Sequence, residues 1–173
     1  DGYHSKFMQE ALAPIQNKVG QLLMASNVRN ILGQVRNRIE ARFMMDTGRI
    51  FIADLSKGKL GTDKARLVGA LLVTQFELAA MSRADIPENK RRDFFLYVDE
   101  FQSFASETFA SILSEARKYR LCVTLSHQYI AQLNEEMGDA VFGNVGSMVI
   151  FRVGQSDAEA IASGRLHLVH SSF

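Results

Sequence analysis

The chain has 173 residues, 47% hydrophobic and 23% charged, which is enough for one compact domain with its own core. Its 20 Lys and Arg nearly balance 19 Asp and Glu, giving a formal charge of +1, so no global imbalance calls for a nucleic acid or a membrane surface as partner. The single cysteine excludes an internal disulfide and fits a reducing compartment. No apolar run is expected to serve as a membrane span of about 18 residues, and no secretory leader is recognisable, so a cytoplasmic location is expected.

Residues 3–47 carry apolar side chains at Val28, Ile31, Leu32, Val35 and Ile39, a helical spacing that predicts two or three helices. RIFIADL at 49–55, bounded by Gly48 and SKGKLG, reads as a first buried strand. Thr62 or Asp63 then caps a helix over about 63–82 that is apolar around most of its circumference and so is expected to be covered on several sides. SRADIPENKRRD is a polar connection whose Lys90, Arg91 and Arg92 read as a solvated run rather than a binding patch.

FFLYVD at 94–99 is a second strand, ETFASILSEARKYR a helix with a stripe of Phe109, Ile112, Leu113 and Ala116, and LCVTLS at 121–126 a third strand. Within that strand Cys122 is expected as a small buried residue. Short helices around IAQLNEE and GDAVFGN lead to SMVIFRV at 147–153, a fourth strand. Near-continuous apolar strands alternating with helices predict an α/β fold with a parallel sheet covered on both faces.

In such a sheet, ligands collect at the carboxyl ends of the strands, and DFFLYVDEFQSF places Asp99 and Glu100 at one such end. The pair suits a nucleotide hydrolase: one carboxylate can hold Mg²⁺ through its water shell and the other can polarise the attacking water. The alternative is that two acids simply begin a solvated loop. The next strand ends on His127 and Gln128, beside the first strand's end. Gln128 suits a sensor role, since a neutral amide near a γ-phosphate can report hydrolysis by switching its hydrogen bond, whereas His127 reads as a packing or hydrogen-bonding residue. No His or Cys cluster has metal-ligand spacing.

YVDEFQSFASETFASILSEARKYRLCVTLSHQYIAQL, with VFGNVGSMVIFRVG downstream, resembles the C-terminal half of the motor domain of conjugative coupling proteins, and ALAPIQNKVGQLL and IADLSKGKLG upstream fit one bacterial branch of that group. These are type IV secretion ATPases of the TraD and TraG type, within the wider FtsK and HerA superfamily of DNA-pumping ATPases. The resemblance covers about residues 10–160 and is most specific over 97–128. It implies a RecA-like P-loop NTPase sheet flanked by helices, ATP and Mg²⁺ as cofactors, and DNA as cargo. It also implies relaxosome or secretion-channel proteins as partners, a homo-hexameric assembly, and a place at the inner face of the bacterial membrane. Asp99 and Glu100 fall on the Walker B pair, Asp99 being the Mg²⁺ ligand through water, and Gln128 falls on the glutamine after the next strand. Arg117 matches the arginine supplied to a neighbouring subunit's nucleotide site, although by itself it also reads as a cation at a helix C-terminus. Arg152 matches a recurrent arginine of the last strand, on the nucleotide side.

The phosphate loop G-x-x-x-x-G-K-[ST] does not occur; SKGKLGTDKAR has Leu60 where Ser or Thr belongs. The expectation is therefore one partial motor domain over 1–173. It comprises a helical portion over 1–47, an incomplete α/β Walker B half over 48–160 and a divergent tail over 161–173, inactive alone for lack of the P-loop strand. That strand would lie between 121–126 and 147–153. Three ways of reconciling the resulting edges are expected: pairing those two segments, filling the slot with RLHLVHSSF, or pairing with another copy. A HerA-type chromosome translocase and a non-catalytic interaction module remain as alternative readings.

Overall fold

Two apolar runs joined through a helix form a parallel ladder in the computed structural model, which describes residues 12–14, 19–20, 24–104 and 107–162. Strand β1 (Phe94–Val98) pairs with β2 (Leu121–Leu125), Phe94 opposite Leu121 and Val98 opposite Leu125. Helices α1 (Ser26–Leu32), α2 (Ala41–Thr47), α3 (Lys57–Leu60), α4 (Thr62–Ser82), α5 (Glu107–Glu115), α6 (Glu135–Asn144) and α7 (Gln155–Ala162) complete a mixed α/β architecture. The chain divides into two compact units, Asp1–Ile39 with Ala53–Val68 and Glu40–Ile52 with Gly69–Phe173.

In the first unit α1 buries Val28 and stops at Gly33, whose N–H reaches Arg29 O at 2.8 Å. A Cβ on Gly33 would stand 2.6 Å from that oxygen, so the close approach requires glycine. Asp54 organises the following loop: it accepts the Ser56 N–H at 3.1 Å and pairs with Lys59, whose ammonium holds its carboxyl down at about 2. Gly61, at φ 80°, then turns the chain into α4, where Ala65 and Val68 are buried.

The second unit holds the sheet and the main core. Alternation along the strands turns Phe94, Leu96 and Val98 of β1, and Leu121, Val123 and Leu125 of β2, toward the core. They meet Phe76 and Ala80 of α4, Phe109 and Ile112 of α5, Met137 and Val141 of α6, and Ala41 and Met45 of α2. Phe76 stacks on Phe94 with centroids 5.5 Å apart, and α5 packs on α6. Asn134 caps α6 by accepting the Met137 N–H at 2.8 Å.

Among the described residues, the alternate side chains on the opposite face of this two-stranded sheet are exposed. Phe95 is 58% and Tyr97 71% exposed, and Cys122, expected to be buried, is exposed beside Thr124 on the same face. Period-two alternation in β2 accounts for this, because the core takes Leu121 and Val123 and leaves Cys122 outside.

Two expected strands do not form. Residues 49–55 are extended but unpaired: Phe51 packs on Phe76 at 5.5 Å while Ile50 and Ile52 point into solvent. Residues 147–153 likewise join no ladder, and Val149 and Phe151 are exposed. The expected closure of 121–126 onto 147–153 therefore does not occur; the RLHLVHSSF alternative lies outside the described residues. An apolar run becomes a strand only where a neighbour satisfies its N–H and C=O groups, and among the described residues the sheet has two members. Helix α7, in contrast, was not anticipated.

Thr62–Asp85 is the one described helical span long and apolar enough by composition to cross a membrane, with a mean hydropathy of 1.2. That corrects the expectation that no run would qualify. Val73, Phe76, Ala79 and Ala80 along it are buried in the core of the second unit, which accounts for its apolar character.

Arg91 and Arg92 of the basic run, and Arg83 before it, bind backbone carbonyls. Arg83 is fully buried, pairs with Asp46 at 3.2 Å, and donates to Tyr119 O at 3.0 Å and to Arg92 O. Burial pushes its guanidinium below its usual value. Arg91 donates to Arg83 O at 3.0 Å, Ile86 O at 2.9 Å and Lys118 O, and lies over the Tyr119 ring. Arg42 binds Asp46, Asp85 at 2.8 Å and Ser82 O at 2.6 Å. These guanidiniums occupy carbonyls at the end of α4 and at the entrances to both strands, where helical and ladder partners run out.

Candidate active site

The parallel register carries one residue beyond the strands: Val98 stands opposite Leu125, so Asp99 stands opposite Ser126. The Ser126 N–H reaches Val98 O at 3.0 Å, and the Phe101 N–H reaches Ser126 O at 3.1 Å. The Ser126 hydroxyl donates to Asp99 Oδ1, which also accepts the Glu100 N–H at 3.0 Å. Asp99 Oδ2 makes no hydrogen bond among the described residues.

Glu100 lies in the left-handed region at φ 52°, a conformation unfavourable for a side chain with a Cβ and held here by its surroundings. It turns the chain from β1 into a short 3-10 turn, Phe101–Ser103, whose Phe101 is fully buried and stacks on Phe109 at 5.9 Å. The turn aims the Glu100 carboxylate at the end of β2. There Gln128 Nε2 donates to Oε1, while Gln102 Nε2 donates to Oε2 from within the turn. His127 packs its ring edge-to-face on Phe101, 5.2 Å between centroids, as expected of a packing residue.

Asp99, Glu100 and Gln128, singled out in the sequence, thus come together. Arg117 and Arg152 do not join them. Arg117 lies in the 3-10 turn Ala116–Tyr119 that precedes β2, at the end of the sheet remote from Asp99 and Glu100. Its exposed side chain has no hydrogen bond or ion pair among the described residues. Arg152 is exposed on the unpaired segment 147–153 rather than on a strand. Ser126 and Gln102 are the residues that sequence reasoning missed. The register rule finds Ser126 once the two strands are paired; nothing in the spacing of Gln102 marks it.

Among the described residues no group of three or more His, Cys, Asp or Glu could enclose a metal ion. A single carboxylate such as Asp99, with one oxygen anchored by Ser126 and the other uncommitted, fits Mg²⁺, which keeps most of its water and takes few protein ligands.

A family model of the type IV secretion-system coupling protein DNA-binding domain matches residues 35–166. The chain belongs to this family. No curated protein and no solved structure matches it. The matched span of this coupling-protein domain contains both strands, the Asp99–Glu100 turn and Gln128, so the site lies inside the family's own region.

Proposed function

We propose that this coupling-protein domain supplies the Walker B side of an ATP-driven DNA-translocating motor in conjugation or type IV secretion. The observation that carries the reading is the meeting of Asp99 with Ser126 and of Glu100 with Gln128 at the carboxyl ends of two parallel strands. In this reading Asp99 would hold hydrated Mg²⁺, which would supply positive charge to offset that of the phosphates. Glu100 orients and polarises the attacking water, and Gln128 reports hydrolysis of the γ-phosphate by switching its hydrogen bond. Arg117 lies at the other end of the sheet from its own chain's carboxylates and in this reading serves a neighbouring protomer's site. That geometry is what a ring assembly such as a homo-hexamer would use. Arg152 contributes on the nucleotide side. DNA is the proposed cargo, with relaxosome or secretion-channel proteins as partners at the inner face of the bacterial membrane.

The test is Glu100→Gln in the full-length coupling protein. ATP·Mg binding should persist while turnover and DNA transfer fall by at least about 10²-fold, the usual scale for losing a general base. Unchanged turnover would refute the reading.

A further inference from the structure

We propose that Gln102 is a positioning residue for Glu100, the fixed half of a two-amide clamp whose releasable half is Gln128; this rests on the catalytic reading of Glu100. Both oxygens of the carboxylate are occupied, Oε2 by Gln102 and Oε1 by Gln128. A carboxylate has about four acceptor positions, so two amides fix its direction and leave room for a water, and either amide can withdraw without the other letting go.

The two amides differ in their freedom to do so. Gln128 is exposed and lies beyond the end of β2, outside any helix or strand. Gln102 is half-buried in the 3-10 turn pinned by the fully buried Phe101, and the Ser103 N–H closes the turn onto Glu100 O at 2.9 Å. Gln128 is therefore the side that leaves, and Gln102 keeps Glu100 aimed while it does.

The second amide atom supports the assignment. Gln102 Oε1 is buried and has no hydrogen-bond partner. An unsatisfied buried oxygen is unfavourable to folding, and the amide keeps this orientation because the reverse one would set Oε1 against a carboxylate oxygen. Gln102 accepts a loss in stability in order to hold Glu100.

The experiment is Gln102→Met in the full-length protein, a substitution of similar length that removes both the donor and the orphaned oxygen. The melting temperature should stay the same or rise. The kcat for ATP hydrolysis should fall about tenfold or more, the scale of one charge-assisted hydrogen bond, with KM for ATP within about twofold. In a Glu100→Gln background the same substitution should lower the residual rate no further. An unchanged kcat overturns the proposal. So does a loss of kcat that accompanies a drop in melting temperature, or one that persists undiminished in the Glu100→Gln background. If Glu100→Gln itself turns over normally, the catalytic reading fails first, and the two failures are distinguishable.

Discussion

Gln128 donates its side-chain amide to Glu100 across the ends of two paired strands, although 28 positions separate them in sequence. The contact exists because β1 and β2 run parallel in register and because Glu100 takes a left-handed backbone that swings its carboxylate toward β2. Gln128→Leu keeps the shape of the loop and removes the donor. Hydrolysis should become weakly responsive to DNA while ATP affinity stays within about threefold, a difference under 1 kcal/mol. A normal DNA-stimulated rate would separate Gln128 from the sensing role.

Arg117 gives a sharper test of assembly. Arg117→Ala should leave folding and nucleotide affinity intact and lower hydrolysis by about 10³-fold, the scale of arginines supplied in trans. Mixing Arg117→Ala with Glu100→Gln protomers should rebuild some interfaces with both groups present and restore part of the rate. Mixed assemblies that recover nothing would return Arg117 to the role of a cation at a helix end.

Glu77 predicts a pH dependence of stability. The residue is 7% exposed and lines a small cavity with Met81, Ile112, Glu115 and Tyr119, and its Oε2 has no partner. Burial raises its carboxyl above its usual 4.5. The folded state therefore favours the protonated form, so this stabilisation is complete below the usual value and is lost as pH rises through the raised one. Glu77→Leu should flatten that slope in urea melts and raise stability at pH 7 by about 1 kcal/mol. Greater stability of the native protein at pH 7 than of the variant would count against this account.

Arg83→Met should be costly. It leaves Tyr119 O and Arg92 O without their donor and removes a fully buried partner of Asp46. A loss of about 3 kcal/mol in denaturant midpoints is expected, the scale for breaking a buried, hydrogen-bonded charge. A loss under about 1 kcal/mol would mean that water or Arg91 replaces it.

The strands bearing the site were legible because FFLYV and LCVTL are short apolar runs that stop on polar residues, and their neighbourhood follows from the connecting helix. RIFIADL and SMVIFRV carry the same local signal and still form no strand, since strand formation depends on a partner that no local pattern reveals. Arg91 and Arg92 looked like solvated charge because their acceptors are backbone carbonyls, Thr47 O at 3.4 Å among them, distant in sequence and invisible as a residue type. Arg117 and Arg152 were marked by the family resemblance alone, and no spacing in the sequence shows where either lies relative to the carboxylates.

The exposed face of the sheet gives the molecule a built-in reporter. Cys122 is the chain's one thiol and lies exposed in the middle of the ladder, opposite Phe95 in register. A maleimide label will mark a single atom on that face, and its rate of attachment will measure whether anything lies over Phe95 and Tyr97. Docking on this side of the protein can thus be followed by thiol chemistry at a position removed from the Asp99–Glu100 turn.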